Sequence, residues 1–111
     1  SSDLYPQFIR WDVGVALDPP HADNCNPDGS PNASPWRSHG AVMYFNNDFG
    51  GGELFYPHYD LEIKPQAGLA GIHRADWDCL HGVRKVTSGV RMTASVFFTK
   101  DEAMAKEQGW F

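Results

Sequence analysis

The chain has 111 residues, 41% of them hydrophobic and 14% aromatic, which fits one globular domain and excludes a disordered segment. Its net charge of −5, with the nine basic residues scattered, argues against nucleic acid as the main partner. No apolar stretch approaches the roughly 18–20 residues of a membrane helix, and two cysteines without a Cys-x-x-Cys pair make neither a disulfide framework nor a structural zinc site. The chain opens on Ser1-Ser2 with no initiator methionine and no signal peptide, so it reads as a processed or excised chain.

In chain order, Phe8 to Val15 is aromatic and β-branched with no helical period, and predicts a strand. Asp18-Pro19-Pro20 is expected to end regular pairing, because proline has no N–H for a ladder. Asn24 to Pro35 is a loop by composition, either functional or poorly ordered, and a candidate mobile lid or substrate-facing segment. His39 to Asn46 predicts a second strand, and Gly50-Gly51-Gly52 a hairpin turn from which Glu53 to Tyr56 returns.

Short strands are expected over Leu61–Lys64, Leu69–Ile72 and His81–Val86. Val90 to Phe98 is the clearest strand. Its alternation puts Val90, Met92, Ala94, Val96 and Phe98 on one face, and Arg91, Thr93 and Ser95, with Phe97, on the other. Thr99-Lys100-Asp101-Glu102 has the form of a capping box opening a short terminal helix through about Gln108, with Gly109 as its stop. Many short strands, one long loop and one terminal helix give an all-β fold: a double-stranded β-helix, the jelly roll of the cupin kind. Such a barrel brings His21 and His81, 60 positions apart, to one mouth.

His21, Asp23 and His81 are two histidines and a carboxylate, the ligand set of a non-haem Fe(II) oxygenase. Residues two apart on an extended segment point to the same side, so His21 and Asp23 can reach one ion. A distant histidine closes a triangular face and leaves three positions open for a bidentate 2-oxo acid and O₂. His-x-Asp alone is weak, since most such tripeptides are surface or capping residues. Arg91, ten residues after His81 and on the inward face of an apolar strand, raises the odds. A buried cation needs an anionic partner, and the cosubstrate carboxylate is one.

From Phe8 to about Lys100 the chain resembles the 2-oxoglutarate- and Fe(II)-dependent oxygenases of the prolyl hydroxylase superfamily. HADN at His21–Asn24 is similar to the first metal motif, YFNNDFGGGELFYP at Tyr44–Pro57 to the glycine-rich segment, IKPQAG at Ile63–Gly68 to a turn, and HGVRKVTSGVRMTASVFFT at His81–Thr99 to the ending. Within the superfamily the pattern is most similar to the leprecan-like prolyl 3-hydroxylases. The resemblance implies His21, Asp23 and His81 as iron ligands, Arg91 as partner of the distal carboxylate of 2-oxoglutarate, and Tyr44 as a hydroxyl donor to that carboxylate. Thr93 joins them from the strand alternation. The implied cofactors are Fe(II) and 2-oxoglutarate, with ascorbate an open addition. The implied reaction is hydroxylation of an unactivated C–H bond, most simply of a peptidyl proline, with lysine or a small molecule as alternative substrates. Asp23 separates this chemistry from that of related halogenases, which replace the carboxylate with a small residue.

Two departures stand out. Trp11 lies ten residues before His21, where such hydroxylases often carry tyrosine, and an indole N–H donates but cannot accept. Helices that precede the barrel in family members are almost missing, so residues 1–111 are expected to be one dioxygenase domain or a fragment of a larger catalytic domain. Rival readings are a cupin-like metal enzyme without 2-oxoglutarate, which has no need of Arg91, and a binding module that keeps the barrel without turnover.

His39, His58 and His73 are read as surface or strand-edge residues, Trp36 and Trp77 as candidates for a substrate groove or loop anchors, and Asn32-Ala33-Ser34 as a glycosylation sequon of little weight. If Asp23 and His81 share an ion, Cys25 and Cys79 lie within reach of a disulfide, as expected of an oxidising compartment, or stand as separate thiols; both remain open.

Overall fold

A computed structural model describes residues 5–107. Ten strands in antiparallel pairing form its framework: β1 Gln7–Trp11, β2 Leu17–His21, β3 Arg37–Tyr44, β4 Gly50–Gly51, β5 Leu54–Tyr56, β6 Leu61–Ile63, β7 Ala70–Arg74, β8 His81–Val83, β9 Val86–Ser88 and β10 Arg91–Thr99. One helix, α1 Glu102–Glu107, follows. No described helix is long and apolar enough to cross a membrane.

The strands form a four-stranded sheet in the order β1-β10-β3-β7, a second in the order β2-β8-β5-β6, and a two-stranded sheet of β4 and β9. This is the expected all-β jelly roll. Sequence neighbours rarely pair, so distant segments meet, and β10 runs down the middle of the larger sheet between β1 and β3.

The alternation along β10 decides what each face of that sheet carries. Thr93 lies opposite Ile9 and Tyr44, and Ser95 opposite Gln7 and Val42. Arg91, Thr93, Ser95 and Phe97 all line the barrel interior, as their parity predicts. The other parity puts Phe8, Met43, Ile72, Met92 and Phe98 outside, each at least 38% exposed. On that side Phe8 stacks on Phe45, their ring centroids 5.8 Å apart. Between the sheets the core is built on Leu54, Tyr56 and Val83, with Trp11, Leu17, Val42 and Ile63 packed against them.

Four expectations are corrected. Asp18-Pro19-Pro20 does not end pairing, because β2 runs through it to His21. The strand is paired only at its ends, Leu17 opposite Val83 and His21 opposite His81, with an irregularity between, so the prolines stand where no ladder N–H is required. Gly50–Gly52 is not a hairpin: β3 belongs to one sheet and β5 to the other. Gly51 and Gly52, both at φ +70°, carry the chain across, and a Cβ on Gly51 would fall 2.0 Å from the Lys85 carbonyl oxygen.

The segment His81–Val86 is two strands in different sheets, β8 and β9. The capping box is not formed either. Thr99 ends β10, its hydroxyl donates to the Trp36 carbonyl and accepts from the Asp101 N–H, and α1 starts at Glu102. The expected stop at Gly109 lies outside the described residues.

Leu54 is fully buried at the centre of the core. Leu54→Ala should lower the unfolding free energy by about 2–5 kcal/mol. In urea titrations this appears as a lower midpoint at unchanged slope. A loss under ~1 kcal/mol would remove Leu54 from the core.

Candidate metal centre

The register of β2 on β8 sets the site. It places His21 directly opposite His81, with ring centroids 4.8 Å apart. Two residues on, Asp23 is fixed by its backbone: its N–H donates to the Ala75 carbonyl, and its own carbonyl accepts from the Asn32 amide and the Arg37 guanidinium. The loop that leaves this motif is therefore tied back onto it. Within the loop, Cys25 bridges to Pro31, and Asp28 accepts from the Ser30 N–H.

One ligand atom from each of His21, Asp23 and His81 lies within 4.8 Å of the others. The His21 and His81 Nε2 atoms stand 3.4 and 3.5 Å from Asp23 Oδ1. Bonds of about 2.1 Å at right angles would separate two ligand atoms by about 3 Å, so this triangle is close to one face of a coordinated ion. Asp23 and His81 are buried, while His21 is 45% exposed at the mouth.

Protonation agrees with this geometry. The His81 Nδ1–H donates to the Cys79 carbonyl, 2.9 Å away, which leaves Nε2 bare and aimed at Asp23. Burial pushes His81 down to about 4, against the pull of Asp23, so the ring is neutral at pH 7. Burial opposes the charge of Asp23, but hydrogen bonds from His21 and His73 lead the contributions that outweigh it. The carboxyl is held well below its usual range.

The interior beside the triad is a cavity of about 210 Å³, room for about seven waters at ~30 Å³ each. Leu54 and Val83 line it, as do Trp11, Arg91 and Thr93 from the larger sheet. Arg91 is 1% exposed. Its Nε donates to the Gly52 carbonyl at 2.9 Å, and its Nη2 to the Tyr44 hydroxyl at 3.4 Å. The guanidinium also lies over the rings of Trp11 and Tyr44. Burial pulls Arg91 below its ordinary value, against the Tyr44 contact. Among the buried side-chain polar atoms described, Nη1 of Arg91 is the one with no partner. A buried donor left in this state marks the place of an acceptor that arrives with a ligand.

Thr93 is buried beside Arg91, and its oxygen accepts the Trp11 indole N–H at 3.2 Å. The indole at this position thus positions Thr93 and covers Arg91. Tyr44 is fully buried and braces Arg91 without lining the cavity.

One sequence reading fails in part here. His73 does sit on an edge strand, β7, but it is no surface residue: it is 7% exposed, with Nε2 3.1 Å from Asp23 Oδ2. The expected strand stops at Ile72, two residues short of Arg74, where β7 ends. Carried on, the inward parity of Gly71 would have exposed His73. His58 is exposed and meets Trp77 edge-on at 6.1 Å, while His39 lies on the outer side of the larger sheet. Trp77 lines a second cavity of about 260 Å³, with Pro20, His21 and Asp23. Cys25 and Cys79 are free thiols.

Comparison with known proteins agrees with this site. The 2OG-Fe(II) oxygenase superfamily matches residues 6–99, and the chain belongs to that superfamily. It is 35% identical over 95 residues to prolyl 3-hydroxylase 2 of Mus musculus, covering 75% of this chain and 14% of that protein. It is 33% identical over 95 residues to prolyl 3-hydroxylase 1 of Homo sapiens, covering 75% and 13%. The chain thus spans about one seventh of the length of these relatives.

Among solved structures, a Pseudomonas putida prolyl-4-hydroxylase superposes with a TM-score of 0.68 at 20% identity, covering 86% of this chain and 52% of that one. The viral collagen prolyl hydroxylase of Paramecium Bursaria Chlorella virus-1 gives 0.62 at 23%, covering 84% and 59%. These likenesses establish the fold. The cofactors of the superfamily are Fe(II) and 2-oxoglutarate. The donor set of two imidazoles and one carboxylate suits the first, and the unpartnered guanidinium nitrogen suits the second.

In the metal-free protein the shift of His81 has a sign that can be tested. Its native value lies at about 4 and its ordinary one at 6.5, so between these the unfolded chain binds more protons. Stability should rise with pH across that window, reach its full value above about 6.5, and fall away toward pH 4. Asp23, with an ordinary value of 3.8, adds its own loss only below that. Urea unfolding from pH 4 to 7 should show a slope that His81→Gln reduces. Identical slopes for the two proteins would contradict the burial of a neutral His81.

Proposed function

We propose that this chain forms the catalytic barrel of a 2-oxoglutarate- and Fe(II)-dependent hydroxylase acting on a peptidyl proline. The observation that carries the reading is one cavity holding both an open three-ligand face and a buried guanidinium nitrogen without a partner. His21, Asp23 and His81 would hold the iron. When bound together, iron and 2-oxoglutarate supply the oxidation: dioxygen is split, the 2-oxo acid loses CO₂ to become succinate, and the other oxygen atom enters a substrate C–H bond.

The chain's own residues bind, orient and exclude. Arg91 takes the distal carboxylate of the cosubstrate through Nη1, while Gly52 and Tyr44 hold its other nitrogens. The Thr93 oxygen already accepts from Trp11, so its O–H is free to donate to the same carboxylate. Leu54 and Val83 keep that side of the cavity dry, which strengthens each charged contact inside it. His21 stands at the mouth between this cavity and the second one, so a substrate reaches the iron from the side of Trp77. The proline reading is supported by the prolyl 3-hydroxylase relatives and by Trp77, since a proline ring packs well on an aromatic face.

With iron, 2-oxoglutarate and a proline-containing peptide, the protein should form succinate in step with one oxygen added to the peptide. Arg91→Ala should raise the 2-oxoglutarate requirement about 100-fold, the low end of the ~3–5 kcal/mol for breaking a buried charge pair, and leave the iron requirement unchanged. An unaltered 2-oxoglutarate requirement would remove Arg91 from the cosubstrate site. Turnover with lysine peptides alone would overturn the proline assignment.

A further inference from the structure

Asp23 has two oxygens, and they face different surroundings. Oδ1 faces His21 and His81, and Oδ2 faces His73 Nε2 at 3.1 Å. The other nitrogen of His73, Nδ1, lies 2.7 Å from the hydroxyl of Tyr56. Both His73 and Tyr56 are buried. Chemistry assigns the protons in this chain of contacts. An ionised carboxylate only accepts, so Nε2 carries the hydrogen. In the tautomer with its hydrogen on Nε2 alone, Nδ1 is bare and only accepts, and the Tyr56 hydroxyl donates to it. Both ring nitrogens of His73 are thereby engaged, and neither is left to serve as a ligand.

The packing around the contact is close. The His73 ring lies 4.1 Å from that of His81, centroid to centroid. On β3, Gly40 leaves the necessary space: a Cβ there would sit 2.5 Å from Asp23 Oδ2 and 3.0 Å from His73 Nε2. Three strands of two sheets, β3, β5 and β7, thus each supply one part of this arrangement behind the carboxylate.

We infer that His73, locked in one tautomer by Tyr56, is a positioning residue that occupies Oδ2 and presents Asp23 to the metal through Oδ1 alone. This rests on the iron-site reading above and deepens it. A carboxylate free to turn can chelate through both oxygens and take a second coordination position. With Oδ2 tied to His73, the protein fills three positions and leaves three for the cosubstrate and dioxygen.

Cobalt(II) titration tests this, followed by equilibrium dialysis and by the visible absorption of the bound ion, on the wild type and on His81→Ala, His73→Phe, His73→Gln and Tyr56→Phe. His81→Ala is the control for the site itself. A wild type that binds no cobalt, or a His81→Ala variant that binds it equally well, sinks the iron-site reading and with it the ground of the inference.

With that control passed, His73→Phe should bind cobalt about 10–100-fold more weakly, the usual effect of removing an outer-shell partner, with a changed absorption spectrum. His73→Gln, whose amide N–H reaches toward the same oxygen, should recover most of the loss. Tyr56→Phe should show a smaller loss in the same direction. A purely structural role would lower the melting temperature and leave cobalt affinity and spectrum unmoved in the folded protein. Wild-type affinity and spectrum in His73→Phe would overturn the inference. Should that variant fail to fold, Tyr56→Phe, which removes a single oxygen atom, decides in the same way.

Discussion

The site depends on keeping one carboxylate charged inside a barrel. Burial alone would drive Asp23 toward its neutral form, because an isolated ion in a low-dielectric interior is very costly. Here the charge survives because imidazoles stand on both sides of it, His21 and His81 toward Oδ1 and His73 toward Oδ2. Those imidazoles arrive from three different strands, β2, β8 and β7. The antiparallel register of β2 on β8 is therefore a functional constraint: a slip of one residue would turn His21 or His81 to the opposite face and leave Asp23 with two of its three imidazoles.

A second charge is held by opposite means. Arg91 is almost wholly buried with no carboxylate of the described residues paired to it, kept by a carbonyl, a phenol hydroxyl and two aromatic faces. These contacts satisfy part of the guanidinium and leave Nη1 over. The protein thus carries, in one cavity, a buried anion ready for a cation and a buried cation ready for an anion. A ligand that is bound to the metal at one end and negatively charged at the other relieves both, which is the description of a 2-oxo dicarboxylate on iron.

Much of this was legible in the sequence, and the reasons are particular. Two of the three candidate ligands are short-range in pattern, since Asp23 follows His21 by two and both belong to one extended segment. Arg91 and Thr93 could be placed inward because β10 runs as one strand, with a register shift only between Phe98 and Thr99. Parity fails where the chain changes sheets. The glycine run after β3 looked like a hairpin, because positive φ at Gly51 and Gly52 signals a turn without saying which sheet the chain joins next.

His73 escapes the sequence reading because the expected strand ends at Ile72, two residues before the observed end at Arg74. Tyr56 went unremarked because a tyrosine in an apolar run reads as core, which it also is. Trp11 shows the reverse. Its lack of an acceptor looked like a loss, and the structure finds the indole N–H on Thr93 and the indole face beside Arg91.

The central claim is that one iron ion sits on His21, Asp23 and His81. Anomalous diffraction at the iron edge, from crystals loaded with Fe(II) under nitrogen, tests it most directly. The account predicts a single peak about 2.0–2.2 Å from both Nε2 atoms and from Oδ1 of Asp23, with Oδ2 still on His73. A peak bonded to His73, or one lying away from Asp23, would contradict it.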